Sequence, residues 1–318
     1  VSEGAPRAGG GAGGRGERAR NKDLPVFVAV AYGLAWLVAI PIWVSGRGAA
    51  PSWGPLLATG MMLTPTVAVL AVWLMRRTPA GRWARETGLT LGPRRGRTIA
   101  WTAAAWAGIP ALGFAAIAVS AWLGLLDLDL SALTRVPAGA GAEVPPQALV
   151  AAQVFGLLIA PAINAIPSLG EEWGWRGWLL PRLMPYGTAA ALVGSGVIWG
   201  LWHAPLELLG RNYPALGAWG ALFFTGFCVI FGAVLGRLRM ITGSVWPAVV
   251  AHGAFNASAP YVLVVAAPGE PPNTALAGPF GLVGWVLMAL VAVALLRVRG
   301  PREPLSSPSP TAPPARHR

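Results

Sequence analysis

Charge is scarce in this 318-residue chain: 11% of residues are Asp, Glu, Lys or Arg, and only 12 are acidic. A water-soluble domain carries roughly a quarter charged residues, so the composition excludes one. Cysteine occurs once, as Cys228, which excludes an intrachain disulfide and leaves the redox compartment unmarked. Lysine also occurs once, against 23 arginines; with the abundant Ala and Gly this points to a GC-rich, bacterial genome. No internal repeat is visible. Histidine occurs three times, and two of the three, His203 and His252, lie inside apolar runs. Ionisable groups placed in hydrocarbon cost several kcal/mol each and face a bundle interior or a wet cavity. Their scarcity makes each one informative.

What the chain has in quantity is apolar sequence, 55% of all residues. Runs of about 20 residues recur, each long enough to cross a bilayer as a helix. The expected fold is all-α: a polytopic membrane bundle of about eight transmembrane helices around a buried polar site. The spans fall near 24–45, 53–75, 98–124, 147–167, 188–209, 217–236, 243–266 and 278–296. With the N-terminus in the cytoplasm, 21 of the 24 basic side chains fall on the inner side and only Arg47, Arg135 and Arg211 on the outer. That asymmetry obeys the positive-inside rule and puts both ends inside, in what would be a bacterial inner membrane. The net charge of +12 sits between and beside the apolar runs, which argues against nucleic acid as a partner. The Arg-rich second loop, Arg76 to Arg97, reads first as a topology signal and also suits anionic lipid headgroups. Residues 1–23 and 300–318 read as disordered cytoplasmic tails flanking a membrane domain over 24–299. The first apolar run is too long for a signal-peptide core, and Pro41 and Trp43 stand where a cleavage site needs small residues.

Three polar clusters interrupt the apolar text. In Ser168-Leu-Gly-Glu171-Glu172-Trp-Gly-Trp-Arg176, the prolines 161 and 167 are expected to break the preceding helix. Ser168 and Glu171 then fit a capping box. Glu172 and Arg176 are four apart on a helix and can pair. Glu171 points about 100° away and lacks that cation, which makes it the better candidate for acid–base work. In Trp199-Gly-Leu-Trp-His203-Ala-Pro205, Trp199 lies one turn before His203, and Pro205 kinks or ends the helix. In His252-Gly-Ala-Phe-Asn256, both polar side chains leave one helical face, while Gly243 and Gly253 permit close helix approach. Each cluster alone has a bland reading as a satisfied interhelical hydrogen bond.

Together and in this order, Glu171-Glu172-x-x-x-Arg176, Trp199-x-x-x-His203 and His252-x-x-x-Asn256 resemble the motifs of the CPBP family. These are the CAAX protease and bacteriocin-processing (Abi) membrane proteins, to which the type II CAAX prenyl endopeptidase belongs. The resemblance covers roughly residues 147–265 and includes Gly-Trp-Leu-Leu-Pro-Arg and Thr-Gly-Ser-Val-Trp-Pro-Ala. Trp199 departs from it, because the family pattern has Phe there. The resemblance implies an intramembrane endopeptidase acting on a peptide or a membrane protein. Glu171 and His203 would activate a water, His252 and Asn256 would receive the oxyanion, and Glu172 and Arg176 would support them. A metallo-version is open beside it, with Glu171, His203 and His252 holding one divalent ion such as zinc. A non-catalytic membrane scaffold and a proton-coupled transporter are the competing functions. The oligomeric state has no signature in the sequence.

Overall fold

The computed structural model describes residues 22–46, 53–134, 144–269 and 271–300. The tails read as disordered lie almost wholly outside these residues. The described residues are helical, with no named strand; one isolated antiparallel bridge joins Leu128 to Ala266. The helices are α1 (Asp23–Val44), α2 (Gly54–Met62), α3 (Thr64–Arg76), α4 (Ala80–Glu86) and α5 (Arg95–Trp122). They continue with α6 (Pro146–Glu172), α7 (Leu180–Leu183), α8 (Thr188–Trp202), α9 (Ala204–Glu207), α10 (Gly220–Thr242), α11 (Trp246–Ser258), α12 (Tyr261–Val264) and α13 (Leu282–Leu296).

Five helical stretches among these residues are long and apolar enough to cross a membrane: Asp23–Val44, Gly54–Arg76, Arg95–Trp122, Pro146–Tyr186 and Pro214–Thr242. The expected count of eight is therefore not met by length and apolarity alone. Two further spans shrink to the 15-residue helices α8 and α13. The expected span at 243–266 is the 13-residue α11 followed by the single turn of α12. At 1.5 Å per residue α11 is about 20 Å long, short of the ~30 Å hydrocarbon thickness.

The break expected at Pro161 and Pro167 does not occur. Helix α6 runs through both prolines without interruption to Glu172, so Ser168 is interior to a helix and caps nothing. The capping-box reading of Glu171 falls with it. Prolines persist in apolar helices where a neighbour packs over the loosened backbone, and α11 does so here. A Cβ on Gly253 would lie 2.6 Å from the Ala165 nitrogen and 2.8 Å from the Pro161 carbonyl oxygen. Gly243 has a different task from the one expected: at φ 73° it ends α10 in the left-handed conformation, where glycine carries no Cβ penalty.

The helix entered by α6 continues as a π-helix over Trp173–Leu179, before α7. Wide turns of this kind occur mostly as local insertions at functional sites. The Gly170 carbonyl just before it accepts the Thr66 hydroxyl of α3 at 2.9 Å. Packing is densest where α11 meets α6 and α5, and where α10 meets α8. From Pro247 to Phe255 every residue of α11 is buried, whereas α6 exposes Phe155 (67%) and Ile166 (73%). The interior is aromatic: Trp175, Trp178, Trp199 and Trp202 are all fully buried. The polar clusters of α6, α8 and α11 are carried into this interior.

Candidate functional site

Glu171 and Glu172 close α6, at 1% and 0% exposure. Arg176 follows within the π-helix and is equally buried. Its Nη1 donates to Glu172 Oε1 at 2.8 Å, the pair expected from the four-residue spacing. The same carboxylate oxygen lies 2.9 Å from His252 Nδ1 of α11. Glu172 therefore faces a guanidinium and an imidazole at once.

Glu171 has a different partner. The indole N–H of Trp199, on α8, donates to Glu171 Oε2 at 2.6 Å. The sequence had suggested no more for Trp199 than an aromatic wall beside His203. It is that wall, with ring centroids 5.7 Å apart and an edge-on arrangement. It also stands edge-on to His252 at 5.5 Å, and Arg176 lies over its face with Cζ 4.0 Å from the ring centroid. A single indole thus touches both histidines, the arginine and one of the carboxylates. Glu172 and Arg176 are charged neighbours of Glu171, and the His252 imidazole is also close by.

Pro205 acts as expected at the end of α8. The helix stops at Trp202, and His203 takes the capping position with φ −77° and ψ −7°. Its Nδ1 lies 3.0 Å from the Trp199 carbonyl oxygen. A carbonyl only accepts, so Nδ1 carries the hydrogen and Nε2 is left for other work. Trp202 and Phe224 hold the ring edge-on at 4.6 and 4.7 Å. Asn256 lies one turn beyond His252 on α11 and is half-buried.

The structure thus joins Glu172, Arg176 and His252 in one hydrogen-bonded group, and Glu171, Trp199 and His203 in another. Some polar atoms inside this region have no protein partner, namely Glu172 Oε2, Arg176 Nη2, and the hydroxyls of Ser168 and Ser195. Buried polar atoms of this kind are commonly met by water.

One further buried carboxylate escaped the sequence reading. Glu207 is fully buried four residues after His203 and accepts from Asn212 Nδ2 at 2.6 Å. Its signal was available: an acidic residue inside the apolar run 188–209, at helical spacing from a histidine. It ties down the turn that leads from α9 to Tyr213, whose hydroxyl donates to the Phe280 carbonyl at 2.7 Å.

The residues named for a metal do not converge as a metal set. Among the described residues no three His, Cys, Asp or Glu side chains are grouped to hold an ion. His252 Nδ1 is engaged by Glu172 and His203 Nδ1 by a carbonyl, which leaves Nε2 open on both rings.

The sequence comparison bears on the same segment. A family model described as type II CAAX prenyl endopeptidase Rce1-like matches residues 151–258. The match starts inside α6, ends at the last residue of α11, and so contains all seven residues of the polar site. No curated protein matches the chain. Together with the apolar helices, this segment marks an integral membrane protein. Over residues 151–258, which carry both glutamates, the two histidines and the asparagine, the chain is similar to the Rce1-like type II CAAX prenyl endopeptidases.

Proposed function

We propose that this protein is an intramembrane endopeptidase of the CAAX protease type, acting on a peptide or on a segment of a membrane protein. The observation that carries the proposal is the difference in partners between two adjacent buried carboxylates. Glu172 is engaged by a cation, whereas Glu171 is held by the neutral Trp199 N–H. A carboxylate not consumed by an ion pair is free to take a proton from water. In this reading Glu171 is the general base, with His203 Nε2 as a second acceptor for the same water. His252 gives its Nδ1–H to Glu172 and keeps Nε2 for the substrate. As an imidazolium it donates from that nitrogen to the developing oxyanion, beside the Asn256 amide. Arg176 holds Glu172, and through Glu172 the orientation of His252, in the manner of a carboxylate that orients a catalytic imidazole.

The proposal includes an eight-pass arrangement in which α8, α11 and α13 are shortened passes. Both termini face the cytoplasm of a bacterial cell, supported by the distribution of basic residues. The site then opens toward the cytoplasmic half of the membrane. Reporter fusions in the interhelical loops test the topology. Activity is tested with Glu171→Ala and His203→Ala on a quenched fluorescent peptide selected from a library for cleavage by the parent protein. Both variants are expected to reach parental levels in the membrane and to lose turnover. Full turnover by Glu171→Ala would overturn the mechanism, and unchanged cellular function of that variant would favour a scaffold.

A further inference from the structure

The position that departs from the family pattern is the position on which the site converges. We infer that Trp199 is a positioning residue: its indole N–H holds one oxygen of Glu171, so that the carboxylate is aimed without being neutralised. The inference rests on the reading of Glu171 as the base.

The indole has few orientations open to it. Trp199 is 1% exposed. Arg176 covers one face at 4.0 Å. His203, His252 and Phe231 stand around it at 5.7, 5.5 and 6.2 Å. Its own carbonyl receives His203 Nδ1, so backbone and ring are both committed. The N–H is the single polar atom of the ring, and it meets Glu171 Oε2 at 2.6 Å. A donor held this way fixes the rotation of the carboxylate and leaves Oε1 to face a water.

The identity of the donor matters as well as its position. A cation in the same place would stabilise the carboxylate but would also weaken it as a base. An indole N–H gives a directed hydrogen bond with no formal charge. Arg176 is drawn off by Glu172 on one side and stacked on the indole on the other. Trp199 therefore stands between the arginine and the base, and serves each by a different part of the ring. A Phe at this position would keep an aromatic ring beside the histidines and the arginine, and would lose the N–H together with part of the indole's volume.

The hydrogen bond is tested without any substrate by ¹⁵N-indole NMR of the detergent-solubilised protein. The resonance lost in Trp199→Phe is expected downfield of the other indole signals and slow to exchange. It is expected to move in Glu171→Gln and to stay in place in Lys22→Gln, a remote charge change. A resonance that does not respond to Glu171→Gln overturns the inference. On the selected peptide, Trp199→Phe should lower kcat roughly ten- to hundredfold with KM unchanged, the scale of a hydrogen bond to a charged group. A raised KM at parental kcat would make the ring a wall of the substrate channel and overturn the inference. If Trp199→Phe keeps its kcat while Glu171→Gln loses it, the positioning role fails and the protease reading stands. If Glu171→Gln itself keeps turnover, the reading of the base is the one that fails.

Discussion

Glu171 and Glu172 are neighbours in the chain, both buried, and they serve two sides of the site built on different physics. The Glu172 side is ionic. It brings a carboxylate, a guanidinium and an imidazole together at 2.8 and 2.9 Å. The Glu171 side has a neutral donor, the indole N–H at 2.6 Å, set among aromatic edges. Charges taken out of water cost several kcal/mol each, and close pairing offsets that cost. Pairing also consumes the carboxylate. The contrast separates the residue that holds the site together from the residue free to react. Two adjacent acids can therefore have opposite sensitivities, one in stability and one in turnover.

The comparison is broken most directly at Glu171. Glu171→Ala should reduce kcat about 10²–10⁴-fold, the usual range for a general base. Its unfolding midpoint in detergent should stay at or above that of the parent. A large loss of stability in this variant would erase the distinction between the two sides. Glu172→Ala should act first on stability, and lower turnover only through the His252 it orients. It strands Arg176 without its carboxylate, at a cost of about 3–5 kcal/mol, measurable by denaturant titration and as reduced yield. The double replacement Glu172→Leu with Arg176→Leu should recover part of that loss, because the guanidinium is no longer left without its carboxylate. Asn256→Ala is expected to cost about 10²–10³-fold in kcat, as for a lost oxyanion donor, with KM near parental. Equal losses in kcat and binding would move Asn256 from the oxyanion to the substrate. The smallest effect is expected from chelation. Dialysis against EDTA or phenanthroline should leave turnover unchanged, and a loss restored by zinc would replace the water–glutamate mechanism with a metal one.

Much of the site was legible in the sequence because helical spacing is local. Glu172 with Arg176 was readable from four-residue spacing, and so was Trp199 beside His203. Pro205, two residues beyond the histidine, marked the end of α8. The prolines of α6 were misread by the same logic. A proline removes one hydrogen bond wherever it stands, but whether the helix breaks depends on what packs against it, and α11 was out of view. Length and apolarity single out only five of the eight expected spans, for a related reason. Hydropathy reports that a residue avoids water and does not say whether it meets lipid or protein. Phe155 and Ile166 on α6 and Val249 and Phe255 on α11 score alike, yet the first pair is exposed and the second is buried.

The sequence by itself determined that the chain is helical and membrane-embedded. It also determined that the polar residues come in three motifs, and which residues share a helical turn. The partners across helices were decided by tertiary structure alone. Glu172 and His252 are 80 residues apart, and Glu171 and Trp199 are 28 apart. Those contacts depend on where α6, α8 and α11 cross, which is set by close approaches such as Gly253 against the α6 backbone. Spacing along one helix orders neighbours every 3.6 residues, but it carries no information about the rotation of one helix relative to another. That rotation determines which glutamate meets the cation and which meets the indole.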